Sequence, residues 1–185
     1  MIKKLFSIPL RFLRDIVGAS VLLASTFGAG AAYAADATAQ STAVVQPPAG
    51  LVRLGDLAFG SVIPGAAGGT VTINPVNDAR STTGSVTGVT STFHAASFRA
   101  NGGANVVGLI LLPAAATITR QSGTEIMPLT NFTVDGATLN LFGQLIINLG
   151  PTGIRDFNVG ATLAVGGDQE PGTYQGTFQV TTIYL

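Results

Sequence analysis

The last thirteen residues of the chain constrain it most. Tyr174, Gly176, Phe178, Val180, Thr182 and Tyr184 share one parity, and Gln175, Thr177, Gln179 and Thr181 share the other. A period of two belongs to extended backbone, in which successive side chains point to opposite faces, whereas a helix repeats every ~3.6 residues. One face of such a strand is buried and the other is wet. The alternation predicts a single central strand over 173–185. Burial of Phe178 and Val180 then contributes about 1.5 to 3 kcal/mol each, and Phe178→Ala is expected to cost about 3 to 5 kcal/mol.

The same texture extends back to Leu51. No long segment keeps apolar residues at i, i+3, i+4 and i+7, while β-branched and aromatic residues recur between Gly, Pro and Asn punctuation. Further strands are predicted over 51–59, 69–73, 84–89, 93–100, 106–112, 116–120, 129–134, 138–148 and 156–165. Strands spaced in this way read as an all-β sandwich or barrel. Within 138–148, Gly143 is placed where a bulge or bend shifts the alternation.

The amino end differs. Lys3, Lys4, Arg11 and Arg14 precede an apolar stretch from Ile16 to about Ala32, and Ala32-Tyr33-Ala34 fits a small-residue cleavage site. This is the pattern of a secretory signal peptide over residues 1–34. The competing reading, a retained membrane anchor, is weakened by Gly18, Ser20, Ser25, Thr26, Gly28 and Gly30. Cleavage after Ala34 leaves five arginines, eight acids and no lysine, a net charge of −3. The expected location is therefore the periplasm, cell surface or extracellular space of a bacterium, with no membrane span left after cleavage. The chain has no cysteine, so its core must hold it together without disulfides. The charge balance offers no footprint for nucleic acid.

Residues 35–50 form an arm or linker before a domain at 51–185. In the arm, Ala35, Ala37, Ala39, Ala43 and Val45 share one parity, and Asp36, Thr38, Gln40, Thr42 and Gln46 the other. Extended, Ala35 to Gln46 would present one small apolar face, as a donated strand requires. Pro47-Pro48 donates no ladder hydrogen bond and stiffens the join to the body.

Catalytic constellations are scarce. His94, the chain's one histidine, is expected to be structural or surface-exposed. Gly84-Ser85-Val86-Thr87-Gly88 places its serine one position too early for a nucleophile elbow. Asp168 and Glu170, and Asp156 beside Asn158, could offer carboxylates to calcium, but the alternating ligand pattern is missing and turn or surface roles explain them better. Gly102-Gly103-Ala104-Asn105 lacks the later glycine of a dinucleotide fingerprint and reads as a turn. Asn131-Phe132-Thr133 has the form of a glycosylation acceptor but falls in a predicted strand. The expectation is a protein without a catalytic, cofactor or metal site. The mature chain keeps seven Phe, two Tyr and no Trp, few for an aromatic sugar platform. Carbohydrate or receptor binding by a monomeric sandwich is the alternative function, and a secreted hydrolase is less supported than either.

Several stretches carry a family resemblance. Leu57-Ala58-Phe59-Gly60, Gly68-Gly69-Thr70-Val71-Thr72-Ile73, Gly160-Ala161-Thr162-Leu163-Ala164-Val165-Gly166-Gly167 and Gly172-Thr173-Tyr174-Gln175-Gly176-Thr177-Phe178 onward resemble, in order and spacing, the bacterial secreted family called domain-of-unknown-function 4402. That resemblance implies an immunoglobulin-like sandwich similar to chaperone-usher pilins and spore-coat-protein-U-like domains, which also tend to end near a tyrosine. In pilins the sandwich lacks a strand, and the groove is filled first by a chaperone and then by the arm of the next subunit. It implies self-association through Ala35 to Gln46, with a periplasmic chaperone and an outer-membrane usher as further partners. The chain departs from the pilin pattern in two ways: the arm lacks large alternating side chains, and the cysteine pair of many pilins is absent.

Overall fold

The computed structural model of the protein describes residues 38–43, 45 and 48–185. The predicted signal peptide, and any helix in it, lie outside the described residues. The described part of the arm, 38–43 and Val45, has no regular secondary structure and is exposed. Residues from Ala43 onward form one compact unit.

That unit contains fourteen strands and, among the described residues, no helix: β1 (Gly50–Gly55), β2 (Val62–Ile63), β3 (Gly69–Ile73), β4 (Arg80–Gly84), β5 (Thr87–Gly88), β6 (Ala96–Asn101), β7 (Val107–Leu111), β8 (Ala116–Arg120), β9 (Ile126–Val134), β10 (Thr138–Leu139), β11 (Leu145–Asn148), β12 (Ile154–Val165), β13 (Tyr174–Gln175) and β14 (Thr181–Tyr184). All pairing is antiparallel. A large sheet runs β1-β6-β12-β9-β8-β13, with β3 also paired to β12 and β4 to β3. A small sheet runs β10-β11-β7-β14, and β2 pairs β5 as a separate ribbon. The arrangement is sandwich-like, two sheets sharing a core.

β12 organises the large sheet. Phe157, Val159, Ala161, Leu163 and Val165 are buried at every second position, the pattern of a strand with one core face. Its first half pairs β6 and its last four residues pair β3. Against β9 the register slips between Gly160 and Thr162, next to Asn131, whose φ of 50° is left-handed. The slip is a bulge, and it lets alternation resume on both sides.

The inward side chains form two clusters. One takes Ala96, Phe98, Ala100, Phe157 and Val159 from the large sheet and Ile110 and Ile147 from the small one. The other takes Val71, Ile73, Met127, Leu129, Ala161, Leu163 and Val165 from the large sheet, with only Phe59, Val86 and Ala95 from loops opposite them.

The carboxyl-terminal segment corrects the sequence expectation. It is two strands: β13 pairs β8 in the large sheet, and β14 pairs β7 in the small sheet. Each is the last strand in its order, so the segment is an edge of both sheets and central in neither. The predicted facing holds, since Tyr174, Phe178, Val180, Thr182 and Tyr184 are half-buried and their neighbours exposed. An edge strand lacks a neighbour to close over its side chains, so Phe178 does not reach full burial. It still packs on Phe98 and Phe132, with ring centroids 6.5 Å and 5.1 Å away.

Gly176 sits where the chain leaves β8. A Cβ there would lie 2.3 Å from the Thr117 carbonyl oxygen, so the crossover passes too close for any other residue. The predicted strand over 138–148 is likewise a hairpin, β10 and β11, with Gly143 (φ 73°) in its turn. The predicted strand over 84–89 is replaced by β4 and the two-residue β5.

Candidate functional site

The sequence candidates for chemistry are dispersed. His94 is half-buried, its backbone bridges Ala58, and its ring contributes one side-chain hydrogen bond, between Nδ1 and the Ala95 carbonyl at 3.2 Å. Ser85 Oγ accepts from the Ala67 amide and donates to the Gly68 carbonyl, both at 3.1 Å, which ties a loop and leaves no base beside it. Asp168 and Glu170 are exposed, and among the described residues no three acids, histidines or cysteines gather as metal ligands. Asp156 accepts from Arg99 Nε and Nη2, each at 2.7 Å. The Arg99 guanidinium holds the Asp156 carboxyl below its usual range. Asn158 donates to the Pro75 carbonyl at 3.1 Å. Gly102 to Asn105 form the turn between β6 and β7, with their backbone bonded to Gly150 and Gly153.

What the sequence did not announce is a cleft of about 1010 Å³. Two chain segments line it, one from Gly55 to Pro64 and one from Gln169 to Phe178. At its base are inward side chains of the large sheet, among them Phe98, Ile118, Met127, Leu129, Leu163 and Val165. The base side chains are themselves nearly covered: Met127 is 6% exposed, Leu129 3% and Leu163 2%. The floor is thus closed at these three side chains, and the two lining segments bring both backbone and side chains to the cleft.

Part of that backbone has no backbone partner within the chain. From Gly176 to Val180 there is no ladder, and neither this run nor Leu57 makes a backbone–backbone hydrogen bond among the described residues. Unpaired amides and carbonyls at a sheet edge are a template for another strand. They need water or a partner, since a buried orphan costs about 1 to 3 kcal/mol.

Both lining segments are held in place. Arg80, half-buried at the start of β4, donates to the Phe59 and Ser61 carbonyls at 3.1 Å and to the Val89 carbonyl at 2.7 Å, with its guanidinium 4.4 Å from the Phe93 ring centroid. On the other segment, Tyr174 Oη accepts from Gln169 Nε2 and donates to the Glu170 carbonyl, both at 2.7 Å. The Tyr184 hydroxyl donates to the Gly50 carbonyl, joining the last strand to the first. Burial pushes the Tyr184 phenol above its ordinary range.

A second exposed feature is the β10–β11 turn. Asn140 Oδ1 accepts from the Phe142 and Gln144 amides, both at 2.9 Å, and the turn so fixed holds Leu141 (100% exposed) and Phe142 (86%) in solvent. Of the described aromatics Phe142 alone is exposed. No described helix is long and apolar enough to cross a membrane.

Compared with known proteins, residues 51–184 match the family model described as Domain of unknown function (DUF4402). No curated protein and no solved structure matches the chain.

Proposed function

The chain belongs to the DUF4402 family, and from that premise we propose that it is a non-enzymatic, exported surface protein with an immunoglobulin-like, pilin-like sandwich that is completed by a strand from another chain. The observation that carries this reading is the cleft between 55–64 and 169–178, with its apolar floor and the unpaired backbone of Gly176 to Phe178, a run that continues beyond the cleft to Val180. An added strand would satisfy those amides and carbonyls by β-augmentation.

The donor in this reading is Ala35 to Gln46 of the next copy. Its inward alternate residues are mainly alanine, with Val45 at the end. Head-to-tail donation does not close on itself and therefore generates filaments. A periplasmic chaperone would hold the cleft before assembly, and an outer-membrane usher would exchange it for the arm.

Deleting Ala35 to Gln46 tests the proposal. The expected outcome is a folded, exported domain that no longer forms multimers on native gels or filaments in electron micrographs; undiminished assembly contradicts it. A second reading, a monomeric adhesin that binds carbohydrate or a receptor, draws on the exposed Phe142 of the β10–β11 turn. Glycan binding by a soluble monomer, lost in Phe142→Ala, is its signature.

A further inference from the structure

The bulge in β9 puts two residues, Asn131 and Phe132, opposite the single Ala161 of β12. The first of them is left-handed, Asn131 with φ 50°, in the place that a bulge of this form ordinarily gives to glycine. Asparagine tolerates that conformation better than other side-chain-bearing residues, yet at a cost that glycine avoids. Strained positions of this kind cluster at ligand sites, and a bulge re-aims the side chain it carries.

Asn131 lines a second hollow, of about 440 Å³, which shares no residue with the cleft. Three stretches meet there: Ile110 to Ala114 at the exit of β7, the bulge pair Asn131 and Phe132, and Gly143 to Leu145 at the start of β11. Leu112, Phe132 and Leu145 pack against the core and give the hollow an apolar base.

Its polar groups are exposed and, for Gln144, fixed in direction. The Gln144 amide donates to Asn140 Oδ1 at 2.9 Å, and Gln144 Oε1 accepts from Asn140 Nδ2 at 2.8 Å. Gln144 Nε2 is left as an oriented double donor. Neither it nor the Asn131 carboxamide makes a side-chain hydrogen bond among the described residues. Asn140 also fixes Phe142, whose amide donates to Oδ1 at 2.9 Å and whose side chain is 86% exposed, one residue before Gly143.

We infer that this hollow is a carbohydrate site that takes one neutral pyranose residue. Its hydroxyls bond the Asn131 and Gln144 carboxamides, and its C–H face lies on the apolar base and on Phe142. The two carboxamides select this class. An acyl chain or an apolar peptide side chain would cover them without a partner, which costs affinity. A carboxylate or phosphate is recognised by Arg or Lys, and neither lines the hollow. A sugar suits both halves: neighbouring hydroxyls donate and accept, as a carboxamide does, while ring carbons cover apolar surface. The volume falls within the roughly 300 to 1,000 Å³ of small-ligand sites. The inference goes beyond strand donation. It rests on the glycan binding of the second reading and not on a monomeric state.

The test is saturation-transfer difference NMR of the purified protein, titrated with the methyl glycosides of glucose, galactose, mannose and N-acetylglucosamine. At least one is expected to bind saturably with Kd of about 1 to 10 mM, ordinary for a ligand of about a dozen non-hydrogen atoms. Asn131→Gly keeps the left-handed backbone and removes the carboxamide. Gln144→Glu keeps the acceptor for Asn140 and removes the donor. Each is expected to raise Kd about three- to tenfold, with the melting temperature unchanged. Binding that persists unaltered in both variants overturns the inference alone, because the glycan then sits elsewhere. No saturable binding of any of these glycosides to the native protein overturns it together with the glycan-binding reading.

Discussion

Phe157 and Leu163 are six residues apart on one face of β12, and each is 2% exposed, yet they are covered in different ways. Over Phe157 lies the small sheet, with Ile110 and Ile147 pointing down from paired strands and Phe98 stacked at 5.6 Å. The cluster that holds Leu163 is completed by loop residues Phe59, Val86 and Ala95, with Val62 of the short β2–β5 ribbon and Tyr174 packed against it, and by no strand of the small sheet. The large sheet thus has more inner face than the small sheet can roof. The cleft lies where loops and a short ribbon, in place of the small sheet, cover that face.

Truncation separates the two halves. Phe157→Ala should cost about 3 to 5 kcal/mol, since ladders on both sheets prevent collapse onto the void. Leu163→Ala should cost about 2 to 3 kcal/mol, the low end for such changes, because loop side chains can settle and the cleft can take up water. Chemical denaturation of both variants checks the order, and a larger loss at Leu163 would break the comparison.

Phe178 stands at the boundary, on the run of unpaired backbone between β13 and β14. Half-buried, it should lose about 1.5 to 2.5 kcal/mol on truncation to alanine, about half the value for a fully buried phenylalanine. A denaturation loss of 3 kcal/mol or more would mean that the crossover is roofed after all.

Tyr184→Phe removes the hydroxyl that reaches Gly50 and should cost about 1 kcal/mol. The phenol is raised by burial in the folded state. Its contribution is therefore present in full below the unfolded phenol value of about 10 and is lost as pH climbs through the higher folded value. Thermal melts across that alkaline range should fall for the native protein and fall less steeply for the phenylalanine variant. Equal slopes would show that Tyr184 is not the titrating link.

How much of this was legible in the sequence depends on what each pattern encodes. Alternation reports facing, and facing was read correctly for the carboxyl-terminal segment. It does not report partners. Tyr174 to Tyr184 keep one parity through a change of sheet, so a broken edge strand looks the same as an unbroken central one. β4 escaped because Ser81-Thr82-Thr83 has no apolar alternation, as befits an edge strand held on one side only. The hairpin at 138–148 was half legible: Gly143 marked the irregularity, but its Asn140-centred turn was not anticipated. The cleft was illegible as residues, because it consists of hydrogen bonds that are not made.

Amide hydrogen exchange at Gly176 to Val180 and Leu57 probes the unroofed half most directly. If a strand completes the sandwich, these amides exchange slowly in the assembled protein and quickly in protein lacking residues 35–46. Rapid exchange in both, with assembly intact, would mean that copies join elsewhere and that the cleft is not the acceptor.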